Sequence, residues 1–203
     1  MNPFKQLSEQ LKNIKVDENL LRENQEKEKI VKNNERLLVI NKTCPEIFRA
    51  ARIKDVDSRI IDFFKSDDLF CWIHGGTGTG KTHSIYALRN SAIIQERPVV
   101  KIVKEYDLDY KKTYNGFIAI DDVGLSENDN YSRLLLDIYM NIIDSHLERN
   151  EKIIFTSNFY LNTWLKKQSR VNEMTALRIE SRMSNKTKVI ELKGSDKRRE
   201  KKE

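Results

Sequence analysis

Short apolar runs alternate with longer amphipathic segments over most of the chain. The runs predict five β-strands, at residues 69–73, 98–103, 117–120, 152–156 and 187–192. Apolar residues at helical spacing predict helices at residues 81–95, 131–149, 161–167 and 175–183. In the longest helix, the positions expected to face inward are Leu134, Leu135, Ile138, Ile142 and Ile143. This βα alternation predicts an α/β fold built on a parallel sheet.

The first 40 residues follow a different pattern. Leu7, Leu11 and Ile14 recur at helical spacing, and residues 22–29 are almost wholly polar. We therefore expect a short amphipathic helix, then a polar helix, and a break at residues 41–45. Such an apolar stripe either packs on its own domain or binds a partner, and its separation from the core by polar sequence favours a partner-binding arm.

Composition narrows the class of protein. A chain of 203 residues suits one well-cored domain with a modest appendage. No apolar run approaches the roughly 20 residues that span a bilayer, so we expect a cytoplasmic protein without a membrane segment. Cys44 and Cys71 lack histidines at zinc-site spacing and are expected to be buried free thiols. The net charge of +6 permits nucleic-acid contact without establishing it.

A complete phosphate-binding motif, G-x-x-x-x-G-K-[ST], lies between the first predicted strand and the helix after it. Its residues are Gly75, Gly76, Thr77, Gly78, Thr79, Gly80, Lys81 and Thr82. The glycines let backbone amides curl around a phosphate, Lys81 reaches the β- and γ-phosphates, and the Thr82 hydroxyl ligates Mg²⁺. The motif predicts an ATP·Mg²⁺ site.

Polar residues at the ends of two later strands fit the rest of such a site. Asp121, after the apolar run 117–120, is expected to hold the Mg²⁺ shell. Asp122 stands where many ATPases place a glutamate that polarises the attacking water, and its shorter side chain predicts slow hydrolysis. Asn158 is expected to orient that water and to sense the γ-phosphate. By themselves, an acidic pair and an asparagine after strands are also common turn or capping residues.

On these motifs the chain resembles the AAA+ ATPases, and within them the DnaC/IstB-like group of replicative helicase loaders and transposition ATPases. The resemblance covers about residues 45–199. It is carried by Pro45-Glu46-Ile47-Phe48-Arg49, Gly80-Lys81-Thr82-His83, Ile120-Asp121-Asp122-Val123-Gly124, Thr156-Ser157-Asn158 and Arg178-Ile179-Glu180-Ser181-Arg182-Met183.

The resemblance implies a five-stranded parallel sheet in the order 5-1-4-3-2, with a helical N-terminal extension at residues 1–40. It implies an ATPase domain at residues 41–192, which a charged tail follows at residues 193–203. In a departure from the family pattern, the chain ends soon after the fifth predicted strand, so we expect no C-terminal lid domain. The connection at residues 104–116 is so short that the helix usual there is expected to be short or missing.

The same resemblance implies roles for residues outside the central motifs. Phe48 and the residues up to Ile53 are expected to line the adenine pocket. Arg182 is expected to act as an arginine finger on the neighbouring subunit's γ-phosphate, which implies an ATP-dependent homo-oligomer in the form of a ring or spiral. Arg178 lies one helical turn away, so the choice between the two arginines stays open.

The function implied is loading of the replicative DNA helicase onto single-stranded DNA, with residues 1–40 gripping the helicase. Two alternatives remain: an IstB-like transposition ATPase that recruits a transposase, and an adaptor or inhibitor that binds ATP with little turnover. A small-molecule kinase would need an acceptor pocket and commonly has an arginine-bearing lid, and neither is visible in this sequence. Basic candidates for DNA contact are Lys166, Lys167, Arg170 and the tail residues Lys197, Arg198 and Arg199.

Overall fold

The structure, a computed structural model, describes residues 18–124 and 129–194. The strands within these ranges are β1 (Phe70–His74), β2 (Lys101–Lys104), β3 (Ile118–Val123), β4 (Ile153–Ser157) and β5 (Thr187–Glu191). The helices are α1 (Glu18–Thr43), α2 (Ser58–Phe63), α3 (Lys81–Ile94), α4 (Asp129–Arg149), α5 (Leu161–Ser169) and α6 (Glu173–Met183). Short 3₁₀ turns occur at Glu46–Phe48, Ile53–Asp55 and Glu105–Asp107.

The five strands form one parallel sheet in the order β2-β3-β4-β1-β5. The predicted order and the α/β class are therefore confirmed. All five residues of β1 and of β4 are buried, as expected for central strands covered on both faces. Because all strands run in the same direction, the loops that follow β1, β3 and β4 leave the same edge of the sheet.

The sheet separates two hydrophobic clusters, and alternate residues of β1 point into each. Phe70 and Trp72 pack with residues of α4, α5 and α6, among them Tyr139 and Trp164. Cys71 and Ile73 pack on the other side with residues of α2 and α3. This covering on both faces holds the carboxyl edge of the sheet rigidly in place.

Two expectations differ from the structure, one about the end of a helix and one about the burial of a residue. α1 continues to Thr43, through part of the break expected at residues 41–45, because its last turns pack on the core and bury Ile40. Leu134 was expected to face inward but is 41% exposed, since it borders a buried stripe that includes Leu135, Tyr139 and Ile142. The amphipathic stripe of Leu7, Leu11 and Ile14 lies outside the described residues.

The two cysteines are buried and free, as expected. The β2–β3 connection contains one 3₁₀ turn, Glu105–Asp107, and no α-helix, which confirms the expectation for that short connection. Helix α2 had no clear signal in the sequence. None of the helices in the described ranges has both the length and the apolar character needed to cross a membrane.

Candidate nucleotide site

The loop between β1 and α3 has a backbone that requires glycine at specific positions. Gly75, Gly78 and Gly80 have φ angles of 150°, 79° and 99°. A Cβ atom on Gly75 would lie 2.3 Å from the carbonyl oxygen of Leu192, so a side chain there would collide with the backbone that follows β5. Gly80 is the N-cap of α3, which places the positive end of that helix at the loop.

Lys81 joins this loop to the end of β4. Its Nζ donates hydrogen bonds to the carbonyl oxygens of Gly75 and Gly76, at 2.7 and 2.8 Å, and to Oδ1 of Asn158 at 2.8 Å. The lysine side chain is buried, whereas Asn158 is exposed. The structure thus brings together two predicted site residues that lie 77 positions apart.

Asp121 lies beside the hydroxyl predicted to ligate Mg²⁺. Oδ1 of Asp121 accepts hydrogen bonds from Thr82 Oγ1, at 3.1 Å, and from Thr156 Oγ1. The carboxylate is fully buried at the end of β3. Hydroxyl and carboxylate oxygens are the hard ligands that Mg²⁺ prefers, so Thr82 and Asp121 fit the cation, with phosphate and water oxygens supplying the remaining ligands.

Lys104 is part of this acidic site, although no motif in the sequence pointed to it. Its Nζ donates to Oδ2 of Asp121 and, at 2.6 Å, to Oδ2 of Asp122. Burial alone would lower the pKa of Lys104, but hydrogen bonds to the two carboxylates outweigh burial and raise that pKa to about 12. The contact follows from the register of the sheet, in which Lys104 is paired with Asp121.

Asp122 has an unusual backbone conformation. Its φ angle of 62° lies in the left-handed region, which non-glycine residues rarely adopt. Its N–H donates to Thr156 Oγ1 at 3.1 Å, and that same hydroxyl donates to Asp121. Thr156 therefore holds both aspartates, an arrangement that sequence reasoning missed because Thr156 is on the neighbouring strand.

Glu105 anchors the chain that leaves β3. Its buried Oε1 accepts hydrogen bonds from the Gly124 N–H, at 2.9 Å, and from the Tyr139 hydroxyl, at 2.7 Å. Lys104 and Glu105 are consecutive residues at the end of β2. One therefore contacts the acidic pair, and the other ties the backbone just beyond it to α4.

Phe48 lies against α3 rather than in the open. Its ring stacks on Tyr86 with a centroid distance of 4.6 Å and an interplanar angle of 9°. Asn90 Nδ2 donates to the Phe48 carbonyl oxygen at 3.0 Å. One face of the Phe48 ring is thus covered within the chain, and contact with adenine remains a prediction for its other atoms.

The two arginines of α6 have different surroundings. Arg182 Nε donates to Oδ1 of Asp144 on α4, and both side chains are about one-third exposed. Arg178 is exposed one turn earlier. Arg182 is thus engaged by an acidic residue of its own chain, and the action of either arginine on a neighbouring subunit remains a prediction.

The basic candidates for DNA contact are only partly described. Lys166, Lys167 and Arg170 are exposed at the C-terminal end of α5. Lys167 Nζ lies 4.1 Å from the centre of the Phe159 ring, an internal cation–π contact. The tail residues 197–199 lie outside the described ranges.

The fold has known counterparts, although sequence comparison alone finds none. No protein-family model matches the sequence, and no curated protein matches it. The crystal structure of DnaI superposes with a TM-score of 0.55 at 20% identity, covering 76% of this chain and 94% of that one. That of the DnaC helicase loader gives a TM-score of 0.51 at 15% identity, covering 73% and 100% of the two chains. This chain shares its fold with those two proteins.

Proposed function

We propose that this chain is an ATP-binding AAA+ protein that loads the replicative DNA helicase onto single-stranded DNA during replication initiation. The observation that carries the proposal is the assembly of Lys81, Thr82, Asp121 and Asn158 at one edge of the sheet. The AAA+ fold, shared with DnaI and with the DnaC helicase loader, supports the same conclusion.

The residues of the site have distinct tasks in this proposal. Amides of the glycine loop and the N-terminus of α3 bind the phosphates, and Lys81 exchanges the loop carbonyls for phosphate oxygens. Thr82 and Asp121 hold Mg²⁺, which neutralises phosphate charge. Asn158, already in contact with Lys81, orients a water molecule and senses the γ-phosphate.

The partner-binding role of the N-terminal arm has support from α1. Ile30, Val31, Leu37 and Leu38 are between 41% and 67% exposed. They form two pairs spaced seven residues apart, so they share one face of the helix. Ile40 packs on the core from another side. An apolar helix face exposed on a docked helix is the surface expected for binding a partner protein.

A low-turnover adaptor or inhibitor of the helicase is the second candidate. One observation favours it, namely that Lys104 pairs with Asp122, the residue expected to polarise the attacking water. A carboxylate oxygen engaged by an ammonium is not free to polarise a water molecule. Nucleotide binding would then act as a switch for assembly. The IstB-like alternative has less support, because the described N-terminal part is a single long helix.

The test is co-purification with the replicative helicase of the same host in the presence of ATP. Full-length protein, a deletion of residues 1–32 and Lys81→Ala are compared. The deletion leaves Arg36, Ile40 and Thr43, whose contacts dock α1, in place. We expect full-length protein to retain the helicase and the deletion to lose it. Lys81→Ala should bind ATP at least about tenfold more weakly, because it loses a phosphate contact.

Each outcome has a separate meaning. Absence of helicase binding by the full-length protein would refute the loader proposal. Retention of binding after the deletion would refute residues 1–32 as the gripping element. If the helicase binds but ATP turnover stays undetectable with single-stranded DNA present, the adaptor hypothesis replaces the loader hypothesis. If the unmodified protein does not bind nucleotide, the proposed ATP site is refuted.

A further inference from the structure

The acidic site already contains a cation of its own. Asp121 and Asp122 place two carboxylates at the end of β3, and Lys104 Nζ reaches one oxygen of each. The carboxylate of Asp121 is completely buried, and buried carboxylates need compensating charge or hydrogen bonds. Lys104 supplies that charge at the place where Mg²⁺ binding is proposed.

Both carboxylate oxygens of Asp121 accept hydrogen bonds from side chains of this chain. Its Oδ1 accepts from two hydroxyls, of Thr82 and Thr156, and its Oδ2 accepts from Lys104. An incoming Mg²⁺ therefore meets a carboxylate that is already occupied and an ammonium of like sign a few ångströms away. Like charges at this separation repel strongly, especially where water is partly excluded.

The surroundings favour movement of the Lys104 side chain rather than of its backbone. The side chain is 27% exposed, so part of it borders solvent. Its backbone is held in β2 by pairing with β3, and the next residue, Glu105, is buried and hydrogen-bonded to Gly124 and Tyr139. A long flexible side chain on a fixed backbone can exchange partners without unfolding its strand.

We propose that Lys104 is a resident counter-cation that holds Asp121 and Asp122 when Mg²⁺ is absent and must release Asp121 for the nucleotide-bound metal. The inference rests on the proposed ATP·Mg²⁺ site. According to this inference, Lys104 raises the Mg²⁺ concentration that is needed to fill the site. It also keeps Asp122 paired, and so unavailable to an attacking water, until the metal arrives.

Thermal melting tests this directly. Unmodified protein, Lys104→Met, Lys104→Arg and Lys101→Met are melted in EDTA and in Mg²⁺, with ionic strength matched by NaCl. Lys101 is the control because it is exposed on the same strand and lies over the Tyr114 ring rather than at the carboxylates. Lys104→Arg keeps the charge, and the double variant Lys104→Met with Asp122→Asn serves if Lys104→Met does not fold.

We expect Lys104→Met to melt about 5 °C or more below the unmodified protein in EDTA, because the aspartates lose their cation. Mg²⁺ should restore most of that loss and should change the other single variants much less. If Mg²⁺ restores the melting temperature, the metal replaces the charge of the lysine at the two aspartates. Loss of a lysine with a merely structural role would not be compensated by Mg²⁺. Equal response of Lys104→Met and Lys101→Met to Mg²⁺ would overturn the inference. For the double variant, a melting temperature in EDTA no lower than that of Lys101→Met, together with no gain from Mg²⁺, would do the same.

A second measurement separates this inference from the proposed function. Binding of a fluorescent ATP analogue is followed while Mg²⁺ is varied. We expect Lys104→Met to reach half-maximal binding at about tenfold lower Mg²⁺, which corresponds to removal of one nearby positive charge. A higher Mg²⁺ requirement would instead identify Lys104 as a phosphate ligand and overturn the inference. If the unmodified protein binds no nucleotide, the proposed function fails, and the melting response to Mg²⁺ alone decides the role of Lys104.

Discussion

At the scale of single residues, Gly75 shows how the phosphate-binding loop depends on a distant part of the chain. Its backbone has a φ angle of 150°, and its α-carbon faces the carbonyl oxygen of Leu192, just after β5. The loop is thus held against the end of an edge strand. Glycine is required here for close approach as well as for backbone conformation.

The prediction at this scale compares two neighbouring glycines. Gly75→Ala should lower stability by about 2 kcal/mol or more, because the new Cβ collides with backbone and the φ angle is unfavourable for alanine. Gly76→Ala is the matched control, since its nearest contact would be at 3.8 Å. Melting without nucleotide measures both. Equal melting temperatures for the two variants would show that the loop does not hold this conformation.

At the scale of elements, α1 is a helix that is exposed along most of its length. Its last turns dock through buried Ile40, the ion pair of Arg36 with Glu96, and the hydrogen bond from Arg89 Nη2 to Thr43 Oγ1 at 2.5 Å. Most of its earlier residues are exposed. A helix held at one end is expected to detach locally at lower free energy than the sheet requires to open.

The reactivity of the two cysteines can measure this difference between local detachment of α1 and opening of the sheet. Cys44 follows α1 and is buried by its docking, whereas Cys71 lies within the central strand β1. Burial raises the pKa of both thiols, that of Cys71 to about 12, so neither should react readily with Ellman's reagent in the native protein. We expect Cys44 to react through detachment of α1 and Cys71 to react only on global unfolding.

A packing variant sharpens this prediction. Ile40→Ala should speed the reaction of Cys44 about tenfold or more, because a large-to-small change weakens the docking of α1, and should leave Cys71 protected. Leu38→Ala is the control on the same helix, since Leu38 is 67% exposed. Equal acceleration of both thiols by Ile40→Ala would mean that α1 opens only together with the core.

At the scale of the whole molecule, the proposed oligomer depends on an arginine that has a partner within its own chain. Arg182 on α6 pairs with Asp144 on α4. Such a partly exposed ion pair contributes only about 0–1 kcal/mol, so Arg182 can leave it at low cost. The pair is therefore compatible with a role in the neighbouring subunit's ATP site.

The prediction for the assembly separates that role from the ion pair. Arg182→Ala should abolish ATP-dependent assembly, measured by sedimentation with ATP and Mg²⁺. Asp144→Ala breaks the same pair but keeps the arginine, and should assemble normally. Similar loss of assembly in both variants would reduce Arg182 to a structural role. If Arg178→Ala loses assembly while Arg182→Ala assembles normally, Arg178 rather than Arg182 is the arginine finger.

Most of the fold could be predicted from local patterns. The five strands and the four predicted helices agree with the structure to within a few residues. The strand order, which the structure confirms, was implied by the family resemblance. Helix α2 was missed because six residues are too few to show a periodicity. Burial of Ile60 and Phe63 stabilises it, together with an N-cap hydrogen bond from the Arg59 N–H to Asp57. The end of α1 was misplaced because tertiary packing of Ile40 extends the helix beyond its local signal.

The sequence by itself determined the chemistry that depends on spacing along the chain: the glycine loop with Lys81 and Thr82, the acidic pair after an apolar run, and Asn158 after the next. Only the tertiary structure decided which side chains face this site from other strands. Lys104 and Thr156 reach Asp121 because β2 and β4 flank β3 in one particular register. Strand register arises from packing of the whole sheet, so no local motif could reveal that Lys104 lies at the acidic pair.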